Sequence, residues 1–435
     1  MQIQTISSTL RFQFLNFILF SFLIVISSCK PDQKESEPIT TETKTVPVRA
    51  EGTEVEANGI FLKTAAAYFE RHQRPSGRFE YIINPEGTSN DNGIYNVVRH
   101  AGALYSFAAY IEHAGDREFD DVWIKASDYM WETNVLPIGD TKTLAIWSVP
   151  GENFYEDSFA KAKIGATGLA LVAWMIGEKI GLVEYPRKKV QQLGDFLLYM
   201  QEEDGQFYNS YHERAGRVDF AKYQYYPAES ALGLCFLYER DPQDKWLEGA
   251  IKAVSVPAKN QAEMAEKPID HWDLIAIAKL FDILEAEGKD LTSYTYLLDY
   301  SKWLVDRLLV EYESSSVKGS FTNDHGTTPT ATRIEGLTAI LPYLAPDSKR
   351  TADTKKSILE AVEFLRDSQI KEGKLAGGIP LSTVKKDTTN STESKFAIDR
   401  FNKKAAEIRI DYLQHAMSAV LGHDILCKKE LMTGG

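Results

Sequence analysis

Two kinds of helix alternate along this chain, and that alternation restricts the fold more than any other property of the sequence. One kind is amphipathic. Val190, Leu193, Phe196, Leu197 and Met200 share one helical face, as do Ile358, Val362, Leu365 and Gln369, while Lys356, Glu360 and Glu363 point elsewhere. The other kind is apolar on nearly every side and rich in Gly, Ala and Ser, over 100–114, 163–177, 228–239, 271–284, 333–345 and 411–422. A helix apolar all round is buried all round, and small residues let such helices approach closely. Beyond residue 57 no sustained strand alternation interrupts the pattern. Pairing each amphipathic helix with its apolar successor predicts six hairpins: 58–74 with 94–114, 118–132 with 161–178, 186–202 with 227–240, 244–258 with 269–286, 292–312 with 330–345, and 352–370 with 408–423. Six outer and six inner helices describe an all-α fold, an (α/α)6 toroid with short turn strands at its mouth. A mixed helical bundle or two α domains are the alternatives.

A second regularity favours the toroid. The first, third and fifth outer helices are each followed by Gly-x-Phe, in SGRF (76–79), DGQF (204–207) and KGSF (318–321), and the sixth by EGKLAGG (372–378). Glycine ends a helix in a left-handed turn, and the aromatic after it covers the helix end. Alternating outer and inner helices with such turns resemble the six-hairpin glycosidase-like superfamily, over nearly all of 58–423. Its members include glycoside hydrolases, polysaccharide lyases and sugar epimerases, so the resemblance implies a carbohydrate-related role without singling out a reaction.

The N-terminus reads as targeting. Arg11 is the one charge before an apolar run from Phe17 to Ile26, and Ser27, Ser28 and Cys29 follow. A charged start, a short apolar run and small residues describe a secretory signal. A cysteine after the small pair makes 1–28 look like a lipoprotein signal, with Cys29 as the lipidated N-terminus. Residues 29–57 carry Pro, Thr and Glu without an aromatic, a composition expected of a flexible tether. The expected organisation is then a toroid domain over 58–425 and a tail over 426–435, anchored in the cell envelope at the outer membrane, on its periplasmic face or at the surface.

Lys and Arg total 49 against 62 Asp and Glu, a formal charge of −13. Without a basic block such a chain is a poor nucleic-acid binder, because that binding rests on cationic contacts to phosphate. There are three cysteines and no CxxC or HExxH pair, so neither a disulfide framework nor a metal or cofactor is expected.

In the toroid all inner helices point the same way, and their N-termini meet at one mouth. The unusual polar residues cluster there: Arg99 and His100, Lys161 and Lys163, Tyr225, Tyr226 and Glu229, Asp270, His271 and Asp273, Arg333 and Glu335, and Arg409, Asp411, Gln414 and His415. Burying charge is costly unless it is paired, so packing alone has no need of charge at every mouth position. Each group also has a plain structural use: Asp270 as a helix cap, Glu229 as a first-turn acid, and His100 as a satisfied core histidine. The catalytic candidates are Glu229, Asp270, His271, Asp411 and His415, with Glu229 and Asp270 as the favoured acid–base pair. Arg99, His100, Tyr225, Tyr226, Trp272, Arg333 and Glu335 are the substrate-binding candidates. Glycoside hydrolysis, which needs two carboxylates, is the leading expectation. A uronate lyase or sugar epimerase, working through a base such as His or Tyr with a cation, is the alternative, and a non-catalytic glycan-binding lipoprotein is the competing class.

Overall fold

The computed structural model describes residues 51–89, 95–139, 142–148, 160–218, 224–386, 393–430 and 432. Cys29, the expected signal and most of the expected tether lie outside the described residues. In chain order the first helices are α1 (Glu51–Arg71), α2 (Val97–Ala114), α3 (Asp120–Asn134), α4 (Ile164–Lys179), α5 (Arg187–Met200), α6 (Tyr226–Arg240) and α7 (Asp244–Lys259). Then follow α8 (Gln261–Met264), α9 (His271–Ala286), α10 (Thr295–Ser314), α11 (Thr327–Ile340), α12 (Lys349–Ser368), α13 (Lys395–Lys404) and α14 (Ile410–Lys428).

The apolar helices form a ring. α2 packs on α4, α4 on α6, α6 on α9, α9 on α11 and α11 on α14, and α14 returns to α2. The amphipathic helices α1, α3, α5, α7, α10 and α12 lie outside this ring, their apolar faces against it. All six expected hairpins are present, so the chain is an (α/α)6 toroid. Leu104, Leu169, Leu234, Ile275 and Ala419 on the inner helices are buried, and Lys356 on α12 is exposed, as the pattern requires. Glu363 is half-buried. Small residues set the inner spacing: a Cβ on Gly233 of α6 would fall 2.6 Å from the carbonyl oxygen of Gly168 on α4.

The Gly-x-Phe turns take the expected form. Gly77, Gly205 and Gly319 have φ of 90°, 97° and 75°, a region where only glycine is unstrained. Each also abuts the backbone of the next outer helix, Gly205 so closely that a Cβ would lie 2.6 Å from Lys252 O of α7. Phe79, Phe207 and Phe321 are buried behind them. A glutamine clamps the first two of these corners and the glycine turn after the sixth outer helix. Gln73 Nε2 donates to Gly77 O and Val122 O, Gln201 Nε2 to Gly205 O and Gly249 O, and Gln369 Nε2 to Gly377 O and Phe61 O. Each clamp therefore ties its own turn to the neighbouring outer helix.

Short strands sit where turn strands were expected. β1 (Ile82–Ile83) pairs antiparallel with β7 (Ile408–Arg409), joining the first hairpin to the last. Between them in sequence, β2 (Val135–Pro137), β3 (Leu144–Ser148), β4 (Lys161–Lys163), β5 (Ser210–His212) and β6 (Gly216–Val218) form an antiparallel meander in that order. Strands this short carry too few residues to show alternation, so their assembly into one sheet was not legible. The domain also begins earlier than residue 58: α1 starts at Glu51, and Glu54 forms an ion pair with Arg366 at 2.7 Å. At the other end α14 runs to Lys428 with Leu426 buried, beyond the expected boundary at 425.

Candidate active site

A cavity of about 340 Å3 opens at the N-termini of the inner helices. It is lined by Arg99 from α2, Tyr226 and Glu229 from α6 with Tyr225 just before it, His271 and Trp272 from α9, Arg333 from α11, and Asp411 and His415 from α14. These positions span more than 300 residues of chain, and a ring of parallel helices brings their first turns together.

At one wall Asp411 is held by two guanidinium groups. Arg409 binds it through Nε at 2.5 Å and Nη2 at 2.8 Å, and Arg99 Nε lies 3.0 Å away. Arg99 also hydrogen-bonds the hydroxyl of Tyr81. Burial alone would raise the Asp411 carboxyl, but Arg409 and Arg99 hold it well below the ordinary range. It is a permanent anion and an anchor for the two arginines. Opposite, Arg333 Nε donates to Glu311 of α10 at 3.0 Å.

The base of the cavity is a histidine–carboxylate–histidine cluster. Glu335, two residues further along α11 than Arg333, accepts from His415 Nδ1 at 2.8 Å, and its same oxygen lies 3.4 Å from His271 Nε2. The two imidazole rings are 5.7 Å apart. Burial acts to lower His415, but Glu335, Asp411 and Glu229 outweigh it and raise its pKa above the usual value. His271 is pushed down to about 4, chiefly by burial. Burial acts to raise Glu335, and the two histidines outweigh it, so its pKa is lowered. The surroundings therefore favour the protonated form of His415, the ionised form of Glu335 and the neutral form of His271. Across the cavity, Glu229 is pushed up to about 8 by burial and carries a proton at neutral pH.

Three expected site residues lie elsewhere. His100 is buried between α2 and α3, with Nδ1 2.5 Å from the Tyr95 hydroxyl and Nε2 2.9 Å from Ala126 O. One residue is a 100° step around a helix, so with Arg99 facing the mouth His100 turns to the outer layer. Asp270 does not line the cavity. It caps α9 by accepting from Trp272 N at 3.0 Å, beside Asp273, which accepts from the Tyr300 hydroxyl at 2.7 Å. Burial and the neighbouring Asp273 raise Asp270 well above the usual range. Glu335 lies beneath the cavity and acts on it through His415; it also borders a second cavity of about 290 Å3 among the inner helices. Trp272 lines the site yet is only 1% exposed, whereas Tyr225, 38% exposed, presents its ring at the rim 5.4 Å from His271.

The sequence reading missed Asn96, Thr328, Pro329 and Thr332, which also line the cavity. Asn96 caps α2 by accepting from Val98 N at 2.9 Å. The threonines belong to the first two turns of α11, which starts at Thr327, three residues before the expected boundary. The run TTPTAT (327–332), with proline early in a helix, was the available signal.

Comparison with known proteins agrees with this architecture. No protein-family model matches the chain, and no curated protein matches its sequence. Among solved structures, a D-mannose isomerase superposes with a TM-score of 0.61 at 16% identity, over 89% of this chain and 99% of that one. A cellobiose 2-epimerase from Bacillus thermoamylovorans gives 0.60 at 10% identity, over 85% and 99%. The GH76A α-1,6-mannanase of a Salegentibacter species gives 0.54 at 11% identity, over 86% and 99%. With its closed ring of inner helices and superpositions over 85–89% of its length, this chain has the (α/α)6 toroid fold of these proteins.

Proposed function

We propose that this chain is a sugar isomerase or epimerase that moves a proton at the carbon next to a carbonyl of an open-chain sugar. The observation that carries the reading is the His271–Glu335–His415 cluster opening on the cavity, where Asp411 is already bound by two arginines. In this scheme the neutral His271 accepts the proton from carbon. The protonated His415, held by Glu335, donates to the sugar oxygen and so stabilises the enediolate. Glu229, neutral at neutral pH, adds a second hydrogen-bond donor. Arg99, Arg333 and the ring of Tyr225 orient hydroxyl groups. The isomerase and epimerase likenesses support the same chemistry.

Glycoside hydrolysis is the second reading, favoured by a protonated Glu229 able to act as general acid and by the mannanase likeness. It lacks a free partner carboxylate, since Asp411 is bound by two arginines and Asp270 is a cap. A variant of the Salegentibacter mannanase with two neighbouring aspartates replaced is inactive. The one adjacent pair here, Asp120–Asp121, opens outer helix α3 and does not line the cavity. The test is to incubate the chain with aldoses, ketoses and short oligosaccharides in D2O. Deuterium at the carbon beside the carbonyl, with a changed sugar, is the expected result; new reducing ends with no such exchange would instead establish hydrolysis. From the sequence we further propose lipidation at Cys29 and a place in the cell envelope, tested by loss of palmitate labelling in Cys29→Ala.

A further inference from the structure

We infer that His271, Glu335 and His415 form a binding site for a divalent transition-metal ion, with Zn2+ the best fit, held by Nε2, Oε2 and Nδ1 respectively. The three donor atoms come from three inner helices and lie within 4.8 Å of one another. Ligands about 2.1 Å from a tetrahedral zinc stand about 3.4 Å apart. The His271–Glu335 pair is already at 3.4 Å, and the Glu335–His415 pair, at 2.8 Å, has to open by about 0.6 Å.

Two further observations point to a ligand. His271 Nε2 and Glu335 Oε1 are buried without a hydrogen-bond partner among the described residues, and leaving such atoms unpaired is costly. An ion at this point would satisfy the histidine nitrogen directly and offer the second carboxylate oxygen a contact. Both histidines also line the mouth cavity, which gives an ion a route to the cluster. Two imidazoles and one carboxylate suit Zn2+, Co2+, Ni2+ and Cu2+, whereas Mg2+ and Ca2+ prefer all-oxygen shells.

A bound ion occupies both histidines, so it acts as an inhibitor of proton transfer by them. The site itself does not rest on the proposed reaction, and its test contains no sugar. The full chain, stripped with EDTA, is titrated with Zn2+ by calorimetry and with Co2+ by visible absorption. The expected result is one ion per chain and the intense d–d band of four-coordinate Co2+. His271→Ala, His415→Ala and the nearly isosteric Glu335→Gln should each weaken binding at least tenfold, with unchanged circular dichroism confirming the fold. Cys427→Ser is the control, because Cys427 Sγ and His423 Nε2, 3.4 Å apart, are a competing donor pair. No saturable binding, unchanged affinity in Glu335→Gln, or loss of the ion in Cys427→Ser would each overturn the inference. Absence of metal binding by the wild-type chain, with its sugar exchange intact, would leave the proton-transfer reading standing.

Discussion

Glu229 shows how one side chain's surroundings decide its chemistry. It sits in the first turn of α6, fully enclosed, and its Oε2 has no hydrogen-bond partner among the described residues. Its pKa rises from the usual 4.5 to about 8. Between those values the folded chain holds a proton that the unfolded chain has lost, so the contribution of Glu229 to stability falls as pH rises from about 4.5 to 8. Urea unfolding of wild type and Glu229→Gln across that range should show the wild type losing stability relative to the variant; parallel curves would refute a buried, protonated Glu229. For the proposed reaction, His271→Asn should lower kcat about 10²- to 10⁴-fold while sugar binding, followed by tryptophan fluorescence, changes little. Most cavity residues were legible because first-turn positions of inner helices share one mouth. Asp270 and His100 were not, because cap geometry and the 100° step to the next residue decide where a side chain points.

At the scale of elements, close contacts between backbones hold the ring and its corners. Gly168 and Gly233 let α4 and α6 touch. A methyl group at Gly233 has no room, so Gly233→Ala should cost about 1–3 kcal/mol by overpacking, measured as a lower urea midpoint. Gln369 is buried and donates to the carbonyls of Phe61 and Gly377. Gln369→Ala removes both hydrogen bonds and should cost about 1–3 kcal/mol; a midpoint within error of wild type would show the clamp to be unimportant. The glycines of these corners were readable as helix stops. Their approach to the next outer helix was not, since the Lys252 carbonyl that crowds Gly205 lies 47 residues away in sequence.

For the whole molecule, closure of the ring is the decisive event. α14 packs against α2 and α1, and β7 pairs with β1, so the first and last hairpins stabilise one another. At this seam Arg366 of α12 meets Glu54 at 2.7 Å and Asn58 at 3.0 Å, and Asn58 donates to Asp424 of α14 at 3.3 Å. A chain beginning at Asn58 loses the first turns of α1 and leaves the buried Arg366 with one partner fewer. It should unfold at a lower temperature than a chain beginning at residue 49, as measured by circular dichroism; equal melting temperatures would show that Glu54 adds nothing. What the sequence by itself determined is the order and burial of the twelve hairpin helices, though not α8 or α13, because periodicity and glycine stops act within one or two turns of chain. The tertiary structure alone decided which carboxylates stay free. Asp411 is claimed by Arg99 from α2 as well as by Arg409, and Glu335 by histidines from α9 and α14. Apart from Arg409, two residues from Asp411, those partners lie 64 to 312 residues away along the chain, and electrostatic pairing depends on distance in space, which no local pattern records.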